Sequence, residues 1–320
     1  MEERIVIENK YEYWRHQRLV IATFTEIYLG KNISTQEDFV FKIIKKSNYI
    51  KEAYQLTKKQ GKILMVLAEA SKIDICPFII KIQECLELSN DLIYIVLEYC
   101  NQGSLSQYIR REKQLQENEA LYIMYQLLQA LVLMAKNNIV HRNIKPDNIF
   151  IKDGVYKLGG FGMAEQNSKY EIKVGTLLYM APEIFTDDQY DQKVDVWSLG
   201  LVIHEILFGE FYFFGTNKEN IQFNILTKQY DLDDKKYAIS NELKDLLRQM
   251  IHKDPKQRLT AEDALKFEIF NQFRTDPRYI KIMENEKLFQ ADRLQKYNQQ
   301  NQIEEEQIQE QRKSEIKNSI

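Results

Sequence analysis

A single change of pattern near Gly103 limits the folds that are open to this chain. Before it, short segments rich in β-branched and aromatic residues are typical of strands. After it, apolar residues recur at helical spacing. We predict strands at Val20–Phe24, Glu26–Leu29, Phe39–Ile44, Ile79–Leu88 and Leu92–Tyr99, and helices at Tyr49–Ala70, Glu117–Asn138, Val194–Phe208, Asn241–His252 and Thr260–Phe270. Strands followed by helices indicate an α+β protein of two lobes.

Composition and charge argue against several classes of function. The net charge of −3 gives no sign of the concentrated basic surface that nucleic-acid binding needs, so we expect no nucleic-acid partner. The longest apolar runs fall well short of the roughly 20 residues that span a bilayer, and the first residues do not resemble a signal peptide, so we expect no membrane partner. Three cysteines without paired or metal-binding spacing predict reduced thiols, a cytoplasmic protein and no metal site.

Four short motifs follow one another in the second part of the chain. Residues 141–148 read His-Arg-Asn-Ile-Lys-Pro-Asp-Asn, 160–162 read Gly-Phe-Gly, 181–183 read Ala-Pro-Glu and 195–200 read Asp-Val-Trp-Ser-Leu-Gly. In order and spacing they resemble the signature set of protein kinases. Lys42 stands where that family has the lysine of its third strand, and Lys145 is typical of the serine/threonine branch.

The resemblance covers residues 13–272 and implies a two-lobed protein-kinase-like fold. The small β-rich lobe would span about residues 13–99 and the larger helical lobe about residues 101–272. Residues 273–320 are charged and rich in glutamine, with apolar residues too sparse for a sustained heptad. We expect a helical or partly disordered tail there, with a docking helix as the alternative.

Two departures from the family pattern fall on catalytic positions. Phosphoryl transfer needs a carboxylate that orients the hydroxyl nucleophile, and Mg²⁺ that neutralises phosphate charge. The orienting Asp is replaced by Asn143, whose amide cannot take up a proton at neutral pH. The main metal ligand is replaced by Gly160, which offers no side-chain oxygen and leaves Asn148 as the retained ligand position. The resemblance therefore implies no intact catalytic residue and no proper Mg²⁺ site.

The nucleotide-binding positions are changed as well. Aligned on Phe24, residues 20–27 carry none of the three glycines that let backbone N–H groups approach phosphates. Val40 stands where the family usually has Ala, and the larger side chain of Val would narrow the adenine pocket. ATP remains a possible cofactor, bound through Lys42 and Asn148. Lys42 is alternatively a strand lysine that pairs locally.

The partner of Lys42 depends on how the helix that follows is aligned. The family has a glutamate there, on the helix that follows. Our preferred alignment places Gln60 at that position, with Glu52 and Glu69 as competitors. With Gln60, the ion pair of the family is reduced to a hydrogen bond.

The residues that maintain the family's fold are kept. By resemblance, His141 and Phe161 belong to an apolar stack between the lobes, and Asp195 binds the backbone of the catalytic loop. Glu183 and Arg258 match a buried ion pair of the larger lobe.

The activation loop corresponds to residues 163–180. Ser168 or Thr176 is a candidate phosphorylation site, although we expect Thr176 to tether the loop by hydrogen bonds. Arg142 is kept and would be available to pair with a phosphate.

These changes together predict a pseudokinase. It would act as a scaffold or allosteric partner in phosphorylation signalling, with an active kinase or that kinase's substrate as its protein partner. One alternative is an ATP-binding atypical serine/threonine kinase with residual activity, in which Asp147 or Asp153 reaches the place that Gly160 leaves empty. The other is a non-catalytic nucleotide-binding switch, which requires an open adenine pocket and Lys42 directed into the cleft.

Overall fold

The computed structural model describes residues 3–21, 25–45, 51–88, 92–166, 174–187, 189–233 and 236–295. The chain forms two compact units, residues 1–274 and 275–320. Within the second unit residues 277–295 are helical. Ser168, the predicted strand end at Phe24 and the last part of the predicted tail lie outside the described residues.

The small lobe is a curled antiparallel sheet with one long helix. Its strands run in the order β1-β2-β3-β4-β6-β5 over the described residues. Lys10, after β1, pairs with Glu84 of β5. These strands lie at opposite edges of the sheet, so the sheet must curl to bring them together. The elements are β1 (Arg4–Ile7), β2 (Tyr11–Ile21), β3 (Glu26–Asn32), β4 (Asp38–Lys45), α1 (Lys51–Ile73), β5 (Ile82–Leu88) and β6 (Leu92–Glu98).

An aromatic cluster fills one face of this sheet. Successive strand residues point to opposite faces, so Phe39 and Phe41 enter the cluster while Lys42 faces the other way. Tyr11 and Tyr13 of β2 cover Phe41, with ring centroids 5.7 and 5.8 Å from it. The cluster is therefore separate from the face that bears the candidate site.

Strand β1 was not predicted from the sequence, and the first predicted strand begins later in the chain than the first observed strands. Three residues, 8–10, connect β1 and β2. Glu8 and Asn9 both have positive φ and form the centre of a turn that is closed by the Lys10 N–H donating to the carbonyl of Ile7 (3.0 Å). Glu-Asn is not one of the strong turn signals, and a four-residue strand carries little periodicity. The hairpin is supported by the aromatic cluster, which links residues far apart in the chain.

The larger lobe is mainly helical. Its elements are α2 (Leu105–Glu112), α3 (Glu117–Lys136), β7 (Ile139–Val140), β8 (Ile149–Lys152), β9 (Val155–Leu158), β10 (Glu165–Gln166), α4 (Glu183–Thr186), α5 (Lys193–Phe208), α6 (Lys218–Thr227), α7 (Asn241–Met250), α8 (Ala261–Ala264) and α9 (Asn271–Arg274). Single 3-10 turns occur at Pro146–Asn148, Phe161–Met163, Leu177–Tyr179 and Glu268–Phe270.

Helix α5 is buried along nearly its whole length, as its apolar sequence predicts. The helix predicted over Thr260–Phe270 is wrong in extent. Thr260 does cap a helix, by accepting a hydrogen bond from the backbone N–H of Asp263 (3.1 Å). That helix ends at Ala264, and a 3-10 turn at Glu268–Phe270 follows it.

The α+β, two-lobed architecture agrees with the fold inferred from the motifs. The three cysteines are free thiols. Among the described helices, none combines the length and apolar character that crossing a bilayer requires.

Candidate active site

The loop between β7 and β8 is fixed by one carboxylate. Asp195, in the first turn of α5, accepts hydrogen bonds from the backbone N–H groups of His141 (2.7 Å) and Arg142 (2.9 Å). Arg142 has a φ of 66°, a left-handed backbone that is uncommon outside glycine. Burial raises the pKa of Asp195 to about 7, against the two backbone donors, which lower it. Asp195 lies where the resemblance implied, holding a strained loop in place.

His141 connects this loop to the segment around residue 160. It is fully buried and meets the ring of Phe161 edge-on, with centroids 4.7 Å apart. Burial lowers the pKa of His141 to about 4, so the ring is neutral near pH 7. Its Nε2–H donates to the carbonyl of Gly159 (2.7 Å), and its Nδ1 accepts from the backbone N–H of Asn143 (3.3 Å). Both ring nitrogens are therefore committed to the backbone.

The side chain of Asn143 is hydrogen-bonded to the segment that carries Thr176. Its side-chain Oδ1 accepts a hydrogen bond from the hydroxyl of Thr176 (2.8 Å). Thr176 therefore lies as expected, bound to the loop at its base position. A neutral amide can make this bond but cannot accept a proton from a nucleophile at neutral pH.

Gly160 and Asn148 compete for one space. Gly160 has a φ of 74°. A Cβ on Gly160 would lie 2.3 Å from both Cγ and Oδ1 of Asn148, well inside van der Waals contact. The Nδ2 of Asn148 donates to the backbone carbonyl of Asn143 (2.8 Å). Asn148 therefore serves the loop backbone and occupies the volume that a side chain at position 160 would need.

Lys42 is held by a neutral partner. Its Nζ lies 2.5 Å from Oε1 of the buried Gln60, on α1. Glu69 pairs instead with Lys72, and the side chain of Glu52 lies outside the described residues. Burial lowers the pKa of Lys42 to about 8. Gln60 offers no charge to offset that loss of hydration, so the ammonium is less stabilised than beside a carboxylate.

Neither of the two candidate replacement carboxylates reaches Gly160. Asp153 accepts a hydrogen bond from Asn101 (2.8 Å) in the turn between β8 and β9. Asp147 is exposed and lies 3.9 Å from the Nζ of Lys145. The nearest atoms to a Cβ on Gly160 belong to Asn148. The specific arrangement proposed for an atypical kinase is therefore not the one observed.

Comparison with known families agrees with this geometry. A model of the protein kinase domain matches residues 15–270. The chain belongs to the protein kinase family. The matched range contains the loop around Asn143, the Lys42 strand and the Gly160 segment, so the altered positions lie inside the kinase domain itself.

Relatives of this kinase domain include serine/threonine kinases. The serine/threonine-protein kinase atg1 of Dictyostelium discoideum is 29% identical over 269 residues, which cover 81% of this chain and 39% of that protein. A probable myosin light chain kinase of the same organism is 35% identical over 252 residues (76% and 50%). The human serine/threonine-protein kinase ULK3 is 29% identical over 254 residues (77% and 52%). The chain spans about half or less of the length of these curated relatives.

The described residues do not fit the magnesium-bound nucleotide that kinases use. Gly160 has no side-chain oxygen, so the retained ligand position offers only the Oδ1 of Asn148, a single neutral amide whose Nδ2 donates to the loop backbone. Among the described residues, no group of three or more His, Cys, Asp or Glu side chains could hold a metal ion. Residues 22–24, part of the expected phosphate loop, lie outside the described residues.

Three side chains on the adenine side of the kinase cleft are partly exposed. Leu29, Val40 and Phe150 are each only half-buried. Val40 lies on the same strand face as Lys42, two residues away. A Cβ on Gly159 would lie 2.7 Å from the ring of Phe150, so this ring packs directly on the backbone of the Gly-Phe-Gly segment.

A buried ion cluster at the connection of the lobes was not anticipated from the sequence. Glu98, at the end of β6, accepts from the backbone N–H of Lys81 (2.7 Å) and pairs with Lys157 (3.0 Å) and Lys152 (3.4 Å). Burial alone would raise the pKa of Glu98, but the two ammonium groups outweigh it and lower the pKa. The sequence does place a lysine on each strand of one hairpin, but this pattern is too common to predict a buried ion cluster.

The larger lobe contains the expected ion pair. The carboxylate of Glu183 receives both terminal nitrogens of Arg258, one at 2.8 Å, and both side chains are buried. The guanidinium also lies 5.0 Å from the ring centre of Trp197 and donates through Nε to the carbonyl of His252 (2.9 Å). Arg258 thus binds three separate segments together.

The guanidinium of Arg142 already contacts neighbouring protein groups. Its Nε donates to the carbonyl of Met163 (2.6 Å), and its NH1 lies 2.9 Å from the carboxylate of Glu165. No sequence motif predicted a role for Glu165, because a single glutamate outside a periodic segment has no recognisable pattern.

Proposed function

We propose that this kinase-family protein is a pseudokinase, which acts through its shape and its protein contacts rather than by transferring phosphate. Its role would be that of a scaffold or allosteric partner in phosphorylation signalling in the cytoplasm. The partner would be an active kinase or a substrate of that kinase. The output of such a protein is a conformational or binding equilibrium.

The observation that carries this proposal is the filled space at Gly160. A kinase with one missing ligand could recruit another carboxylate to the same place. Here the volume is taken by the neutral amide of Asn148, whose N–H bonds the backbone of residue 143. The loss of a positioned base at Asn143 adds an independent deficit, typically about 10²–10⁴ in rate.

A direct assay of phosphate transfer tests the proposal. The purified chain is incubated with labelled ATP and generic protein substrates, with Mg²⁺ and with Mn²⁺, beside Lys42→Ala as the matched control. We expect no transfer above that of Lys42→Ala, since residual signal common to both reflects contaminating kinase. Transfer at ordinary kinase rates that Lys42→Ala abolishes would establish an atypical active kinase and overturn the proposal.

A nucleotide-binding switch is the second candidate. It is favoured by the partial exposure of Leu29, Val40 and Phe150 and by the position of Lys42 on the same strand face as Val40. Titration with ATP during thermal unfolding tests it. Ligand at about 100 times its Kd should add about 2.7 kcal/mol of stability. A shift that needs no metal supports the switch, and no shift with any nucleotide rejects it.

A further inference from the structure

One carboxylate links three segments at the junction of the lobes. Glu165 lies on β10, which pairs with β7 so that Glu165 is opposite Val140. Its Oε1 is 2.6 Å from the Nζ of Lys59 on α1, and its Oε2 is 2.9 Å from NH1 of Arg142. Each carboxylate oxygen therefore has its own cation, and the two cations come from different lobes.

The Arg142 side of this contact is rigid. Arg142 is buried, and its Nε bonds the carbonyl of Met163 in the segment that carries Glu165. The side chain of Glu165 is itself 16% exposed. Burial would raise the pKa of Glu165, but Lys59 and Arg142 outweigh it and lower the pKa. The carboxylate is therefore charged near neutral pH and meets a fixed guanidinium.

The Lys59 side of the contact positions helix α1. Lys59 precedes Gln60, whose side chain binds Lys42. A Cβ on Gly162 would lie 3.9 Å from the Nζ of Lys42 and 4.0 Å from Oε1 of Gln60, so the segment before Glu165 passes directly beside this pair. The Lys59–Glu165 contact and the Lys42–Gln60 contact are therefore neighbours at the same point of α1.

In regulated kinases a loop can be ordered by a phosphate that pairs with arginine, because the added charge draws separate segments together. Here a carboxylate already pairs with Arg142 and with a lysine of α1. We propose that Glu165 is a built-in latch, which holds α1 against the larger lobe through Lys59 and Arg142 so that this arrangement needs neither phosphorylation nor bound nucleotide. The inference extends the proposed function, since a protein that acts by shape requires a persistent one.

The chain offers a matched control on the same helix. Lys58 pairs with Glu87 of β5 at 2.5 Å, entirely within the small lobe. Lys59 pairs with Glu165 of the larger lobe at a similar distance. Their lysine side chains are about equally exposed, 39% and 40%. Lys and Gln have similar helix propensity, so Lys58→Gln and Lys59→Gln differ chiefly in which contact is lost.

The test is hydrogen–deuterium exchange of the full chain without nucleotide. Lys59→Gln and Glu165→Gln should each speed exchange of the α1 amides about two- to five-fold, with Lys58→Gln unchanged. The double variant of Lys59 and Glu165 should be no faster than Glu165→Gln alone, because both changes break one contact. Thermal unfolding of each variant verifies that it is folded.

Two results would overturn the latch. Exchange of α1 that is unaltered in both Lys59→Gln and Glu165→Gln would mean that packing alone holds the helix. An equal acceleration in Lys58→Gln would assign the effect to the helix rather than to the contact between lobes. Neither result depends on catalysis, so the phosphate-transfer assay judges the proposed function separately.

Discussion

The side chain of Asn148 occupies the space into which a side chain on Gly160 would extend. The Cγ of Asn148 lies 2.3 Å from where a Cβ on Gly160 would be, and its Nδ2 is held by the carbonyl of Asn143. Position 160 therefore lacks a side-chain oxygen, and the space beside it holds the neutral amide of Asn148.

This relationship predicts the outcome of Gly160→Asp. We expect a loss of about 1–3 kcal/mol in the free energy of unfolding, because the new side chain overpacks against Asn148. We expect no gain of Mg²⁺-dependent stability. Urea unfolding with and without Mg²⁺ measures both effects.

The control for Gly160→Asp is Gly154→Asp. Gly154 has the same left-handed backbone, with φ 76° against 74°, but nothing lies within 4 Å of its Cβ position. Both variants share the backbone penalty, and only the first meets a neighbour. Equal losses in the two variants, or metal-dependent stabilisation of Gly160→Asp, would contradict the prediction.

Glu183→Gln should be severely destabilising. The change leaves the guanidinium of Arg258 buried without its counter-charge, which costs about 3–5 kcal/mol. Lys72→Gln breaks the exposed pair with Glu69 and should change stability by less than about 1 kcal/mol. Chemical denaturation compares the two variants, and a loss below about 1 kcal/mol in Glu183→Gln would show that the pair contributes little.

His204 predicts a loss of stability in mild acid. It is buried in an aromatic cluster, its Nδ1 lies 3.1 Å from the hydroxyl of Tyr230, and its Nε2 has no partner among the described residues. Burial lowers the pKa of His204 to about 4 from an ordinary 6.5. The unfolded chain therefore binds a proton that the folded chain refuses between these values, so stability falls as the pH decreases from about 6.5 to 4.

The size of this effect is roughly 3 kcal/mol, from a shift of about 2.5 pH units at 1.36 kcal/mol each. His204→Phe should remove that part of the pH dependence. His16→Gln, at an exposed residue, should leave it in place. Unfolding free energies measured from pH 7 to 4.5 decide the matter, and parallel curves for wild type and His204→Phe would refute the assignment.

Two tyrosines of the small-lobe cluster should respond oppositely to loss of the hydroxyl. The hydroxyl of Tyr11 is buried without a partner among the described residues, so Tyr11→Phe should be neutral or stabilising. Tyr13 shares a side-chain hydrogen bond with Tyr94, so Tyr13→Phe should cost about 0.5–1.5 kcal/mol. Thermal unfolding of the pair checks the sign, and a larger loss in Tyr11→Phe would be inconsistent with this cluster.

The sequence determined the fold class and the chemical identity of the candidate site. Motifs separated by fixed intervals are read without knowing contacts, and the absence of an oxygen at Gly160 follows from the residue itself. The helix alignment that put Gln60 opposite Lys42 also rested on local spacing, and the two side chains are in contact.

The tertiary structure alone decided which other groups meet these positions. The charge cluster of Glu98 and the contact of Lys59 with Glu165 join residues far apart in sequence, in the last case by 106 positions. β1 likewise packs against residues of later strands in the aromatic cluster. A short strand or a lone carboxylate has no periodicity, and its partner is set by how the sheet curls and the lobes approach. For the same reason the sequence could name Asn148 as a retained ligand, whereas only packing showed that its side chain fills the space beside Gly160.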